Sequence, residues 1–234
     1  MIETTRHRDY FNPREYDDLS ITIIGAGATG SRVFEALVNL GLTNISVYDF
    51  DNVEEHNLAN QIYMSHHTGD LKVKGLSDWQ YDKNGGEVKN SNFYDKKVEG
   101  NMKNEMGNVV FLLTDTMASR REIWKHSLWL NPNVKIVYET RMALTHGDIY
   151  RFNPAVAFEN RKWNDSLIDD DQAETSACGT ALSIHTTASI IANLAVNNMV
   201  HWLKGEPVAH HTGIYLHPLT ITEEEWKNES QSVA

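Results

Sequence analysis

Residues 21–60 read ITIIGAGATGSRVFEALVNLGLTNISVYDFDNVEEHNLAN, and this stretch decides the fold. The apolar run 21–24 has the length and composition of a buried parallel strand. Gly25, Gly27 and Gly30 follow at once in the spacing G-x-G-x-x-G. Val33, Leu37 and Leu40 then recur at intervals of four and three, which is one face of a helix, and Gly41 supplies its stop. Residues 45–48 form a second apolar run with Asp49 at its end. Strand, tight turn, helix, strand and acid therefore come in the order of a mononucleotide-binding unit. In such a unit Gly25 permits the turn, Gly27 lets the backbone approach a phosphate, and Gly30 lets helix and sheet pack closely. The free N–H groups at the helix start face the phosphate. Asp49 is placed where a carboxylate accepts from a ribose hydroxyl.

Composition narrows the class. The chain has 234 residues, enough for one large α/β domain with a proper core. A formal charge of −11 argues against a nucleic-acid surface, which needs a basic stripe. Cys178 is the one cysteine, so neither an intrachain disulfide nor a Cys-rich zinc site is available. No apolar run is long enough to span a membrane or to act as a secretory leader, so a reducing cytoplasm is the expected compartment. The histidines show no H-E-x-x-H or similar metal spacing, and the adjacent pairs His66-His67 and His210-His211 diverge in an extended chain.

Outward from the opening unit, residues 1–19 form a polar, aromatic arm carrying Arg6, Arg8 and Arg14. It is expected to lie against the domain or a partner, and its segment is too polar to pack as core. Asp51, Asn57 and Gln61 fall in a polar loop or short helix after Asp49, and Leu71-Lys72 begins a helix. Further strands are expected over residues 92–98, 109–113, 134–139, 149–152 and 214–219. The run 109–113 ends in Thr114-Asp115-Thr116 with a helix from Met117 to about Leu130, so Asp115 either points into the ligand crevice, caps the helix, or does both. Residues 160–175 are polar and acidic and predict a mobile surface loop containing Trp163. Ile184, Ala188, Ile191, Ala195, Met199 and Trp202 then mark one face of a long helix ended by Gly205 and Pro207. The expected architecture is a doubly wound, mostly parallel α/β sheet with a Rossmann-like nucleotide-binding half. It comprises an arm over 1–19, a single domain over 20–222 with a crossover loop at about 160–180, and a polar tail over 223–234.

Four separated segments then carry a family resemblance. Gly25–Gly30, the run from Asp49-Phe50-Asp51-Asn52-Val53 through Asn57-Leu58 to Gln61, the G-x-x-K of Gly69 and Lys72, and Thr114-Asp115 occur in the order of the ThiF/MoeB/ubiquitin-activating family. The resemblance covers about residues 6–205. The segments Phe11-Asn12-Pro13, 114–121 and Ser176-Ala177-Cys178-Gly179 look most like compact ThiF-type proteins of bacteriophages and mobile elements. That family adenylates a carboxylate with ATP and Mg²⁺, usually at the C-terminus of a ubiquitin-like or small sulfur-carrier-like protein. The resemblance implies that Asp49 holds the ATP ribose, Asn57 and Lys72 contact phosphates, and Asp115 holds magnesium. It implies that Arg6, with Arg8 as the fallback, reaches the ATP of a partner subunit in a homodimer. Attack of a carboxylate on phosphorus brings two anions together, and Lys, Arg and Mg²⁺ offset that repulsion.

Three departures stand out. The family's phosphate-binding arginine three residues after Asn57 is here Asn60, so Arg32 or Arg120 would have to replace it. Ala28 stands where many members have a third clustered glycine, and the C-x-x-C pairs of many bacterial members are absent, so no structural zinc is expected. Cys178 falls near the reactive cysteine of sulfur-transfer members, where it is either an acyl-capturing nucleophile or a small packing residue. Two other functions fit part of the pattern. A non-catalytic nucleotide-binding partner is favoured by Asn60 and opposed by Lys72 and Asp115. An NAD-dependent oxidoreductase fits Gly25–Gly30 and Asp49 but leaves Asn57, Lys72 and Asp115 without a role.

Overall fold

A computed structural model describes residues 2–168 and 184–228. Its centre is the pair of strands β1 (Ile21–Ile24) and β4 (Val109–Leu112), whose residues are all buried. Strands covered on both faces can be apolar throughout, which explains the unbroken runs ITII and VVFL. On one side of β1 lie β2 (Ile45–Asp49) and β3 (Asn92–Asp95); on the far side of β4 lies β5 (Ile136–Met142). All pairings from β3 to β5 are parallel. An antiparallel extension of β6 (His146–Phe152), β7 (His211–Leu216) and β8 (Leu219–Glu224) completes an eight-stranded sheet in the order β3-β2-β1-β4-β5-β6-β7-β8. The expected doubly wound, mostly parallel sheet is the observed one.

The period-two alternation of strand side chains builds two cores. Ile21, Ile23, Val109, Phe111, Ile136 and Tyr138 face one side, against Phe34 and Leu37 of α1 (Ala28–Asn39), Leu76 of α2 (Lys72–Asn84) and Ile191 of α5 (His185–Leu203). Ile24, Val110, Leu112 and Val137 face the other. There they meet Ile123 of α3 (Met117–Ile123), Trp124 and Leu128 of the π-turn that follows it, and Trp163 of α4 (Ala157–Asp165). The α5 face predicted by periodicity is buried at Ala188, Ile191, Ala195 and Met199. Among the described residues no helix is long and apolar enough to cross a membrane.

Several sequence expectations need correction. Residues 160–165 are not loop but the end of α4, and Trp163 is fully buried, stacked on Phe152 with ring centroids 4.8 Å apart. A helix that buries Glu159, Asn160 and Trp163 on one side shows too little apolar periodicity to be read. The arm does pack. Phe11 is 2% exposed and stacks on Tyr16 at 5.1 Å, and His7 Nε2 lies 3.4 Å from the Leu40 carbonyl. The final stretch is a hairpin, and Trp226 beyond it is buried against His210 with ring centroids 5.2 Å apart. His66 and His67 lie in a 3-10 turn with rings 4.1 Å apart instead of diverging in an extended chain.

The hairpin strands are fastened by charge as well as by hydrogen bonds. His211 Nε2 donates to Asp148 Oδ1 of β6 at 2.7 Å, and its Nδ1 lies 3.6 Å from Glu224 Oε2 of β8. The Asp148 hydrogen bond, opposed by partial burial, holds the His211 pKa above the ordinary imidazole value. A raised folded-state pKa contributes stability that is complete below the unfolded value of about 6.5 and is lost as pH rises through the folded value. Thermal unfolding followed from pH 6 to pH 9 should therefore show a fall in stability of up to about 1 kcal/mol that Asp148→Asn flattens.

Candidate nucleotide site

The site is built where β1 ends and α1 begins. Gly25 has φ +98°, and a Cβ there would fall 2.5 Å from the Leu113 carbonyl oxygen, so only glycine lets the turn lie against the end of β4. A Cβ on Gly30 would fall 1.9 Å from the Gly25 carbonyl oxygen. Gly27 is different: a Cβ there would meet nothing within 4 Å. The first two glycines answer to packing, whereas Gly27 borders open space at the start of α1, where helix N–H groups lack intrahelical partners.

Asp49 reaches this turn from the end of β2. Its Oδ2 accepts from the Ala26 N–H at 2.6 Å and its Oδ1 from the Asp51 N–H at 2.8 Å. Burial raises the Asp49 pKa, while the Lys72 charge and these two amides act to lower it. Lys72 is brought to the same place by a short pairing of the loop after β2 with the start of α2: Asn52 bridges Leu71, and the Lys72 N–H donates to the Asp51 carbonyl at 2.9 Å. The Lys72 side chain is 9% exposed and its ammonium pairs with Asp51 Oδ2 at 2.8 Å, whereas the Asp51 side chain is 46% exposed. Asn57 is buried in the intervening 3-10 turn, and its Oδ1 accepts from the Glu54 N–H at 2.9 Å.

Asp115 is exposed at the end of β4, two residues beyond the Leu113 carbonyl that abuts Gly25. It does not cap α3; Thr116 does, its hydroxyl accepting from the Ser119 N–H at 3.1 Å. The structure thus groups Gly25, Gly27, Gly30, Asp49, Asp51 and Lys72 directly, with Asp115 on the adjoining strand end. Among the described residues no cluster of three or more His, Cys, Asp or Glu side chains is placed to hold a metal ion. One carboxylate suits a magnesium ion that arrives with phosphates, since Mg²⁺ is commonly held by one or two carboxylates plus substrate oxygens.

Arg6 is held elsewhere in its own chain. Thr4 packs on Gly41 and His7 on Leu40, so the arm around Arg6 is anchored at the C-terminal end of α1, a helix about 18 Å long whose other end carries the glycine turn. Of the two candidate replacement cations, Arg120 is committed. It is buried, its Nε lies 2.9 Å from Glu139 Oε1, and its Nη2 donates to the Thr140 carbonyl at 2.9 Å. Arg32 instead reaches the loop that carries Asn60, donating through Nη2 to the Gln61 carbonyl at 3.3 Å and to His185 Nδ1 at 3.1 Å. Cys178 lies outside the described residues. The network that sequence reasoning missed is Glu139 itself, wholly buried in the middle of β5, where the parallel pairing with β4 ends, between Arg120 and Arg141. Its signal, an acid ending an apolar run, is the one used for Asp49 and Asp115.

Known proteins share the family and the fold. The ThiF family model matches residues 14–232, and the chain belongs to the ThiF family. Its fold is shared with selenomethionyl PaaA (TM-score 0.67, 17% identity, covering 91% of this chain and 65% of that one). It is also shared with E. coli MccB bound to AMPCPP and selenomethionyl MccA (TM-score 0.67, 14% identity, 91% and 65%). A third match is the microcin C7 biosynthetic enzyme MccB in complex with N-formylated MccA (TM-score 0.68, 13% identity, 91% and 66%). The chain therefore spans about two thirds of the length of these proteins. No curated protein matches it significantly by sequence.

The glycine geometry separates packing from access. Gly30→Ala should lower stability by about 1–3 kcal/mol or more, because the Gly25 backbone must shift. Gly27→Ala meets open space and should cost less, about 1 kcal/mol, because it exchanges a glycine N-cap for the less favourable alanine. Thermal melts of the two variants check both outcomes.

Proposed function

We propose that this chain is an ATP-dependent adenylyltransferase that activates the C-terminal carboxylate of a small protein or peptide. The observation that carries the reading is the convergence of Asp49, Asp51 and Lys72 on the open start of α1, with Asp115 beside it, in a ThiF-family chain. MccB with ATP and MccB with AMPCPP and MccA are fold relatives that support a nucleotide and a peptide as ligands.

In this reading Asp49, already oriented by two amides, uses its remaining lone pairs to accept from the ribose hydroxyls. Gly27 lets the phosphates approach the α1 N-terminus. Lys72 turns its ammonium from Asp51 to a phosphate oxygen; the exposed Asp51 carboxylate is then rehydrated, which keeps the exchange inexpensive. Asn57 fixes the loop between them and serves the phosphates with Lys72. Asp115 would hold the magnesium ion, which supplies charge neutralisation at the α-phosphate. The substrate carboxylate is ionised at neutral pH and needs no general base. Arg32 supplies the cation missing at Asn60: its own partner, Glu35 at 2.9 Å, is partly exposed and can be rehydrated, whereas Arg120 is buried against the wholly buried Glu139.

ATP–pyrophosphate exchange against small proteins or peptides encoded beside the gene tests this. Exchange should be magnesium-dependent, abolished by Asp115→Ala with an unchanged melt, and lowered tenfold or more by Arg32→Ala. Binding of ATP without exchange to any candidate would instead make the chain a non-catalytic partner. Tight NADH binding with no ATP binding would make it an oxidoreductase.

The placement of Arg6 far from its own glycine turn supports a two-fold homodimer in which each arm completes the neighbour's site. An isologous interface makes both arms equivalent. Arg6→Ala should then lower turnover far more than ATP affinity, as expected for a charge acting on the leaving pyrophosphate. Mixing Arg6→Ala with Asp115→Ala chains should restore activity in mixed dimers. A monomeric mass by light scattering would exclude arm exchange.

A further inference from the structure

Ala26, at the tip of the glycine turn, is held through both of its flanking peptide groups. Its N–H donates to Asp49 Oδ2 at 2.6 Å, and its carbonyl accepts from the Tyr63 hydroxyl at 2.8 Å. Tyr63 is 5% exposed, and its hydroxyl is kept protonated because burial, reinforced by the charges of Asp49 and Asp51, drives its pKa well above the ordinary phenol value. The proton it donates to Ala26 is therefore retained. The two clamping side chains come from different segments, β2 and the loop before α2, so neither is set by the turn itself.

A third residue makes room for the clamp. Gly75 lies inside α2, where glycine is less favourable than alanine by about 0.8–1 kcal/mol. A Cβ at Gly75 would fall 2.9 Å from Tyr63 Cδ1 and 3.1 Å from Cε1. No flexible side-chain end is available to yield, because the contact is the ring itself. A helix-disfavouring residue is thus found where any larger one would displace the Tyr63 ring. Lys72, which starts the same helix, is three residues away, so the position of α2 sets both the Lys72 ammonium and the Tyr63 ring.

We infer that Tyr63 is a positioning residue for the nucleotide: its hydroxyl fixes the Ala26–Gly27 peptide plane, so that the open Gly27 backbone is held ready for a phosphate, and Gly75 is the space that the ring requires. Ala26 orientation decides where the next amide points, because planarity of the peptide couples the Ala26 carbonyl to the Gly27 N–H. A turn tethered at Asp49 alone retains rotation about that single hydrogen bond; the second tether removes it. The loss on binding of motion already suppressed in the free protein is avoided, which raises affinity.

The test uses Tyr63→Phe, which keeps the ring and removes the hydroxyl. A single neutral hydrogen bond corresponds to about a two- to tenfold change in an equilibrium. In the free protein, Tyr63→Phe should speed amide hydrogen exchange at Ala26, whose N–H is the one bonded to Asp49, by about that factor, with protection of β1 and β4 unchanged. By calorimetry it should weaken ATP binding by the same factor, and turnover at saturating ATP should change less than KM for ATP. Gly75→Ala should reproduce both effects by displacing the ring, and Gly75→Ala combined with Tyr63→Phe should be no worse than Gly75→Ala alone. Unchanged Ala26 exchange in Tyr63→Phe overturns the clamp. The functional arm rests on the nucleotide reading, and the two failures are separable. If the parent protein binds no ATP, the adenylation reading falls while the exchange measurement still decides the clamp. If the parent binds ATP and Tyr63→Phe binds it equally well, positioning falls and the reading stands.

Discussion

The hydrogen bond from the Ala26 N–H to the Asp49 carboxylate joins the two parts of this molecule that must stay in register. It ties the glycine turn after β1 to the end of β2, across the parallel pair that opens the sheet. A charged acceptor makes such a bond stronger than a neutral one, but the same carboxylate must be buried to make it. The structure offsets that cost with a second amide, from Asp51, and with the nearby Lys72 charge. Asp51 then pairs with Lys72 and fixes the start of α2. A chain of contacts from one carboxylate thus sets the turn, the loop and the helix that border the crevice.

The opposite side of the crevice follows different logic. Glu139 is wholly buried between Arg120 and Arg141, and Arg141 also donates to the Ser166 carbonyl at 2.6 Å and lies over Tyr150 at 4.1 Å. Two cations around one buried anion bind α3, β5, β6 and the end of α4 together. Removing one member would leave a buried charge incompletely compensated, which typically costs 3–5 kcal/mol. The basic groups here are thereby assigned to holding the fold, while Arg32, on the first turns of α1, is tied mainly to the loop at Gln61 and to Glu35.

The parallel half of the fold was legible because its signals are local: buried strands show apolar runs, and the glycine turn has a fixed spacing. The antiparallel half was less so. Its strands are half-covered, so β6 and β7 began three residues before their apolar segments, and β8, exposed at every position, offers only Leu219 and Ile221 as apolar residues. α4 was hidden by its polar composition. In the site, Asp49, Lys72 and Asp115 could be named from spacing and resemblance, whereas Tyr63 and Gly75 could not. Their significance lies in a contact between segments remote from the turn, and an isolated Tyr or a helical Gly carries no mark of it. Arg32 and Arg120 were equivalent in sequence; only the burial of Glu139 beside one of them distinguishes the two.

β8 has a consequence for how the protein behaves at high concentration. It closes the sheet as an edge whose six residues are all exposed, with Leu219 and Ile221 on the face that the Ile214 side of β7 continues. Such an edge offers unpaired backbone groups to any passing strand. Here the strand is short and ends in Glu223 and Glu224, so pairing with a second copy brings carboxylates together. Replacing both by glutamine removes that repulsion and also reduces the net charge of −11 that keeps copies apart. Colloidal stability is therefore tied to the charge of the last strand, and neutral side chains there turn a protected edge into a template for aggregation.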